Sequence, residues 1–506
     1  VGSPFSVLIV GGGTAGWMAA NLLAHHWRDL PVTITLVESS DIGTVGVGEG
    51  STPYLKSFFR TLGIEESEWM PACNATYKCG IRFPNWSTKP GYTTYYHPFF
   101  SPLDRETGFE FFAQADARRR GENVVALPDH FFHAPYLSGA AMSPIPRRPL
   151  PFDLDYAYHF DAGLLGTFLK KKAREAGVVH RIETITSVAQ ADGEISYLET
   201  ESGCRLQADL YVDCTGFRSQ LLSALPGYAF QHYGNTLLNN SAVTLQLPRD
   251  PQAPLKTETV SEALSAGWMW DIPLQNRSGF GYVFSNDFVS PEQAEIELRA
   301  RTGASDDVTC RHLSMRIGRV SHHWSGNCLG VGLSQGFIEP LEATALMLVQ
   351  FTIEQFAADF RLGEHQSINS SHRDAYNNRI NSMFSGVLDY VAGHYVLNSR
   401  NDTEYWRAAR ETIVVPDRLA EVLSCWDAGG DFTSALQSSG ADRVYSSASW
   451  YCLLAGMGRF PALSESRVQD RDVGNRALLT DVEVFCSGNV DRFISHTGRL
   501  AQLVGR

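Results

Sequence analysis

The feature that most constrains this chain lies in its first forty residues. Phe5-Ser-Val-Leu-Ile-Val10 is a short apolar run of the kind that forms a buried parallel strand. It leads into Gly11-Gly12-Gly13-Thr14-Ala15-Gly16, a GxGxxG turn, and then into Trp17–Ala24, a strong helix-forming stretch. A second β-branched run, Val32–Val37, closes the unit and ends at Glu38. Each position has a physical task. Gly11 permits the tight turn, Gly13 lets a pyrophosphate approach the backbone, and Gly16 lets helix and strand pack closely. Thr14 and Ala15 complete the turn at a helix N-terminus whose partial positive charge stabilises phosphate. Glu38 stands where a ribose-binding acid belongs. The pattern predicts a dinucleotide-binding βαβ unit.

The chain has 506 residues, 43% hydrophobic and 19% charged, which is enough apolar material for a large core and too little charge for disorder. Length suggests two to four domains. A net charge of −13 gives no electrostatic footprint for nucleic acid or an anionic membrane, so neither partner is expected. The basic clusters Arg118–Arg120 and Lys170–Lys172 read as solvated helix faces. No segment has the uncharged apolar length of a membrane span. The N-terminus lacks the basic patch and apolar run of a signal peptide. Nine dispersed cysteines without a CxxC pair suggest reduced thiols in a cytoplasmic setting. The adjacent pairs His25-His26 and His322-His323 cannot both face one ion from a helix or a strand, so no metal centre is expected.

Further along, Asp161 is placed to cap a helix through Leu164, Leu165, Phe168, Leu169 and Ala173, stopped by Gly177. Strand-like segments follow at His180–Val188, Glu194–Thr200 and Cys204–Val212, leading into Asp213-Cys-Thr-Gly216. A βαβ start, a later helix and β-meander, and a DxxG strand end together resemble FAD-dependent monooxygenase-type enzymes. That resemblance implies an α/β, FAD-binding Rossmann-type, flavoprotein monooxygenase-like fold, with an interleaved substrate-binding sheet layer and a helical C-terminal part. The expected segments are 1–83 for the βαβ unit, flavin strap and lysine-bearing strand, and 84–150 for a substrate-side insertion. Residues 151–220 continue the FAD layer, 221–320 form the substrate sheet, 321–360 return to the FAD side, and 361–506 are the helical remainder. Helical patterning at Phe351–Phe360 and Leu419–Trp426 supports the last of these.

The most diagnostic peptide is Gly267-Trp268-Met-Trp270-Asp-Ile272-Pro273. On a strand, Trp268 and Trp270 project to one face as an indole wall. This WxWxIP sequence resembles the signature of flavin-dependent halogenases of the tryptophan halogenase family, and four further segments agree with it. Thr76-Tyr-Lys78-Cys-Gly-Ile-Arg82 resembles the segment bearing the family's catalytic lysine, which falls on Lys78. Gly43–Pro53, with Gly48 and Glu49, resembles the strap beside the flavin. Gly336-Phe-Ile-Glu339-Pro-Leu-Glu342-Ala-Thr344-Ala345 resembles the EPLESTG segment, whose second Glu assists catalysis and whose following amides hold the halide. Tyr96-His97-Pro-Phe99 resembles the His-x-Phe pair that sandwiches the substrate ring. The resemblance also assigns Asp213 and Gly332 to the flavin side.

What the resemblance implies is specific. FADH2 and O2 would form a C4a-hydroperoxide, which a halide attacks to give hypohalous acid. Trp268 and Trp270 would keep substrate from the flavin, and Lys78 would hold the hypohalous acid. Capture as a covalent adduct requires a neutral amine, whereas hydrogen bonding requires the ammonium. Glu342 would stabilise or deprotonate the arenium intermediate, with Glu339 competing for that role. Thr344 and Ala345 would bind halide, while His97 and Phe99 would bind substrate. Without the resemblance, Lys78 would read as a solvent-facing lysine sharing a strand face with Gly80 and Arg82.

Two departures bear on specificity. The family's Ser-Thr-Gly is Ala343-Thr344-Ala345 here, which leaves chloride against bromide open, with a lean to the more easily oxidised bromide. Free-tryptophan enzymes of the family carry a Tyr-Tyr and Glu clamp in the C-terminal third, and the nearest stretch here, Ser449-Trp450-Tyr451-Cys452-Leu-Leu-Ala-Gly-Met-Gly458, shows no Tyr-Tyr pair and contains no acid. An indole or another electron-rich aromatic without an amino-acid head is therefore expected. A free-tryptophan halogenase, an FAD-dependent aromatic hydroxylase and a non-catalytic flavin-binding protein are the alternatives. No reductase segment is visible, so a separate NAD(P)H:flavin reductase is the expected partner. The oligomeric state stays open, a homodimer included.

Overall fold

The computed structural model describes residues 4–40, 48–360, 370–463 and 473–505. The chain divides into two units interleaved in sequence: Val1–Asn74, Phe160–Tyr233 and Arg316–Ser385 form one, and Ala75–His159, Gly234–Met315 and Gly386–Arg506 the other. The architecture is α/β with a helical C-terminal part, as the sequence implies.

The first unit is built on β1 (Phe5–Val10), α1 (Thr14–His26) and β2 (Val32–Glu38). β1 lies between β2 and Leu210–Asp213, parallel to both, in a six-stranded sheet completed by Val179–Ile182, Cys328–Gly330 and Trp324–Ser325. α1 is buried continuously from Gly16 to Leu23, because it packs against both Ala162–Glu175 and Ala345–Asp359. Asp161 caps the former helix, accepting from the Leu164 amide at 3.0 Å.

Three readings of the sequence need correction. His180–Val188 is not one strand: Val179–Ile182 joins the parallel sheet, and Ile185–Ala191 begins an antiparallel three-stranded meander. Cys204–Val212 likewise splits into Arg205–Leu206 and Leu210–Asp213. Alternation along a run does not reveal a change of sheet within it. The basic clusters are not plain solvated faces either. Arg119 is buried and donates to the carbonyls of Cys425, Trp426 and Gly430, and Lys170 and Lys172 pair with Glu38 and Glu68.

The second unit centres on a seven-stranded sheet in the order 311–314, 241–248, 277–284, 267–273, 258–263, 80–84 and 94–98. It is antiparallel except where Glu258–Ala263 meets Gly80–Pro84. Met269 packs with Val243, Leu245, Tyr282, Phe284 and Leu298 in a core beneath the helix Pro291–Thr302. Alternation along the strand sends Trp268 and Trp270 to the opposite face. Beyond Gly386 the chain is mostly helical. Among the described residues no helix is long and apolar enough to cross a membrane, and all nine cysteines are free thiols.

Asn377, on the long helix Ser370–Leu397, fixes one edge of the first sheet. Its Oδ1 accepts from the His323 and Trp324 amides at 2.8 and 2.9 Å, and its Nδ2 donates to the Trp324 carbonyl. Asn377→Leu strands two buried N–H groups and should lower unfolding stability by roughly 2–5 kcal/mol in urea titrations.

Candidate active site

In the first unit the predicted flavin residues converge on the turn after β1. Gly11 has φ +116°, and a side chain there would strike the Cys214 carbonyl. Gly13 is the N-cap of α1 and has open space where a Cβ would stand. Thr14 opens the helix, and no side chain caps its first amides. Gly16 packs against the Gly11 carbonyl, so a Cβ there would collide with it. Gly332, at φ +71°, approaches so closely that its Cβ would lie 2.7 Å from that of Ala15. These constraints leave free amides and open space beside one loop.

Glu38 is held by two residues the sequence reading did not assign to it. Lys170 Nζ and His180 Nε2 both donate to Oε1, at 2.9 and 2.7 Å. Oε2 is the oxygen nearest Gly12, where any side chain would collide with it. The partners lie on a later helix and strand, so no local pattern in the sequence marks them. One oxygen is thus anchored and the other faces the turn. An acid so placed, together with the open cradle at Gly13, fits the ribose and pyrophosphate of FAD.

Asp213 is buried and turned inward. Its Oδ1 accepts from the Thr215 amide and hydroxyl, and its Oδ2 from the Leu221 and Leu222 amides. Burial pushes its carboxyl up, and these bonds oppose the shift. Its observed work is to shape the turn that follows the strand. Of the strap, residues 43–47 lie outside the described residues, and Gly48–Gly50 is a short strand. Glu49 is pushed up to about 7, first by desolvation and then by the Asp161 carboxylate.

The Glu339–Ala345 segment also belongs to this unit. Glu339, Glu342 and Thr344 are buried. Pro340–Glu342 forms a 3-10 turn, Ala343 takes φ +55°, and Ala345 begins the helix Ala345–Asp359. The left-handed residue is therefore Ala343, and Ala345 carries ordinary helical backbone. Alanine in place of glycine at 345 brings no backbone strain, and the segment predicted to bind halide keeps a helix-start geometry.

The second unit holds the residues predicted for the substrate side. Lys78 ends the strand Thr76–Lys78, pairs with Ala157, and has no exposed surface. The reading of a solvent-facing lysine is excluded. Its Nζ lies 5.5 Å from the centre of the Phe99 ring. Thr76 Oγ donates to the Pro273 carbonyl at 2.6 Å, which ties the lysine strand to the end of the WxWxIP strand. Trp268 and Trp270 are buried with ring centres 6.0 Å apart. The Trp270 ring covers Gly281 so closely that any side chain there would enter it. His97 is buried and its Nε2 lies 3.1 Å from Ser449 Oγ, in the helix Ser447–Gly456. In that helix Trp450 Nε1 donates to the Ala441 carbonyl, and the Tyr451 hydroxyl to Asp116.

Glu49 gives a pH test of this geometry. A carboxyl raised in the fold stabilises it in the protonated form, so that contribution is complete below about 4.5 and is lost as pH rises through about 7. Glu49→Gln should therefore raise the melting temperature at pH 8 relative to the parent and leave it almost unchanged at pH 5.

A profile described as tryptophan halogenase matches residues 6–472. Tryptophan 6-halogenase SttH of Streptomyces toxytricini is 40% identical over 448 residues, covering 84% of each chain. Its crystal structure superposes with a TM-score of 0.85 over 99% of this chain and 100% of that one, at 34% identity. The 7-chloro-L-tryptophan 6-halogenase KtzR of Kutzneria sp. (strain 744) is 39% identical over 83% of this chain and 84% of its own. The structure of Tar14, a tryptophan C-6 flavin-dependent halogenase (chlorinase) from taromycin biosynthesis, has a TM-score of 0.84 at 36% identity, covering 99% of both chains. The chain belongs to the tryptophan halogenase family.

Proposed function

We propose that this chain is a two-component, flavin-dependent halogenase that installs bromine or chlorine on an indole ring, with Lys78 holding the halogenating species. The observation that carries the reading is the setting of Lys78, an amine buried on a strand bonded to the WxWxIP strand through Thr76. When bound, reduced FAD and O2 supply the oxidation that converts halide to hypohalous acid, the reduced flavin coming from a separate NAD(P)H:flavin reductase. The chain's own residues do the rest. Gly11, Gly13, Thr14, Ala15, Gly16 and Gly332 shape the nucleotide cradle, and Glu38, Glu49, Gly48 and Asp213 complete the flavin side. Thr344 and the Ala345 amide bind halide at the start of a helix.

Lys78 aims the halogen by hydrogen bonding. The Phe99 ring face stabilises an ammonium, which favours hydrogen bonding over covalent capture. Trp268 and Trp270 keep the aromatic substrate from the source of oxidant, and His97 and Phe99 contact its ring. Glu342 stabilises positive charge on the halogenated ring or accepts the proton it loses. Bromide is the faster halide, because it is easier to desolvate and to oxidise than chloride.

The names of the relatives make free tryptophan the first substrate to test. One observation favours a second reading, an indole without the amino-acid head. Trp450 and Tyr451, in the stretch nearest to the family's Tyr-Tyr clamp, are buried and spend their polar atoms inside the protein. With those partners inside the protein, they are not free to clamp the carboxylate or ammonium of an amino-acid substrate.

Mass spectrometry decides among these. The protein, FAD, NADH and a generic flavin reductase are offered tryptophan or indole with chloride or bromide. A mono-halogenated product is expected, with Lys78→Ala lowering its rate at least about 100-fold. Tryptophan turned over faster than indole would make the chain a tryptophan enzyme, and the reverse would support the headless substrate. A hydroxylated product formed without halide would overturn the halogenase reading.

A further inference from the structure

The strand carrying Lys78 has only three residues, too few for its own ladder bonds to hold an amine in one place. Two buried histidines, neither suggested by any sequence motif, engage the two residues before it. Thr76 Oγ donates its one hydrogen to the Pro273 carbonyl at 2.6 Å, so toward His159 Nδ1, 3.1 Å away, it accepts. His159 Nδ1 therefore carries a proton. His159 has no exposed surface, and burial, followed by the charge of Lys78, disfavours its cation. Its Nε2 is then a lone pair that accepts from Thr259 Oγ at 2.9 Å.

The same logic holds on the neighbouring residue. His496 Nδ1 lies 2.9 Å from the Leu255 carbonyl, which can only accept, so this nitrogen also carries a proton. The Tyr77 amide donates to His496 Nε2 at 3.0 Å, so this second ring is neutral as well. Burial, with Arg249 adding to it, pushes its pKa down to about 4. One imidazole thus engages a side chain of the strand and the other its backbone.

We infer that His159 and His496 are positioning residues for halogen transfer, two neutral imidazoles that clamp Thr76 and Tyr77 and so fix the aim of the Lys78 amine. The inference rests on the proposed role of Lys78. Neutrality matters, because a cation beside Lys78 would repel its ammonium, while a neutral ring with one defined donor and one defined acceptor holds the strand without adding charge. A displacement of about 1 Å is enough to lower a rate by about 100-fold. Misplacement at this point also has a distinctive sign: hypohalous acid that is not handed on escapes.

The test measures that escape. The flavin-loaded protein turns over tryptophan or indole, whichever it accepts, in the presence of monochlorodimedone, which traps free hypohalous acid. His159→Leu should raise the ratio of trapped to incorporated halogen at least about tenfold, with substrate Kd and FAD affinity within about twofold of the parent. His159→Asn, whose amide N–H replaces the Nδ1 donor, should stay within about threefold of the parent ratio. A loss of folding alone would lower both quantities together. Should His159→Leu not fold, Thr76→Val removes this link together with the bond to Pro273, and a parent ratio in that variant counts against the clamp. Independently, ring nitrogen NMR of the His159 resonance should report the neutral Nδ1–H form from pH 6 to 8. A folded His159→Leu or Thr76→Val variant with the parent ratio, or an Nε2–H or cationic signal, overturns the inference. A Lys78→Ala variant that still halogenates at the parent ratio would overturn the role of Lys78 itself, which separates the two failures.

Discussion

Burying the amine of Lys78 removes hydration worth several kcal/mol to an ammonium, and the surroundings of that one group follow from compensating the loss. The face of Phe99 offers a ring quadrupole in place of water. The nearby imidazoles, His159 and His496, are both starved of charge by burial. The strand is fastened to Pro273, the last residue of the tryptophan-bearing strand, by a side-chain hydroxyl. A lysine on a loose surface loop would need none of this. It would also have no fixed direction in which to present the halogen that Lys78 is proposed to hold.

The first unit meets a different demand, that of keeping backbone amides available. Its glycines serve close approach, with Gly11 against Cys214 and Gly332 against Ala15. Asp213 consumes its own carboxylate oxygens in the turn that follows it, which holds the end of the strand beside β1 without calling on the free amides of α1. Glu38 is kept in place by Lys170 and His180 through one oxygen, so its other oxygen needs no partner from the turn. Nucleotide-binding turns are often described by their glycines alone. Here the acid at the end of β2 is as strongly determined, from elements far along the chain.

Much of this was legible in the sequence. The βαβ unit, the Asp161 cap and the direction of Trp268 and Trp270 follow from local patterns, because periodicity, capping and alternation are local properties. The segment roles came from resemblance, which transfers positions but not surroundings. What stayed hidden is non-local. His159 meets Thr76 across 83 residues, His180 meets Glu38 across 142, and Asn377 meets Trp324 across 53. No spacing rule links such pairs. The division of His180–Val188 between two sheets was hidden for a related reason, since both strands are largely exposed and neither carries a burial pattern that marks its sheet. Which residue of the Ala343-Thr344-Ala345 segment takes left-handed backbone was equally hidden, since the family's glycine falls at position 345. The backbone places its left-handed residue two positions earlier, at Ala343.

The contact between Trp270 and Gly281 has a consequence for any redesign of the indole wall. The ring fills the volume that a side chain at 281 would need, on the facing strand where the two residues pair directly. The two positions therefore constitute a single unit of variation. A bulkier residue at 281 is admissible only with a smaller one at 270, and the effect of changing both will depart from the sum of the separate changes. A search that varies one position at a time would reject every useful substitution at 281, although paired changes there offer a route to reshaping the wall without touching Lys78.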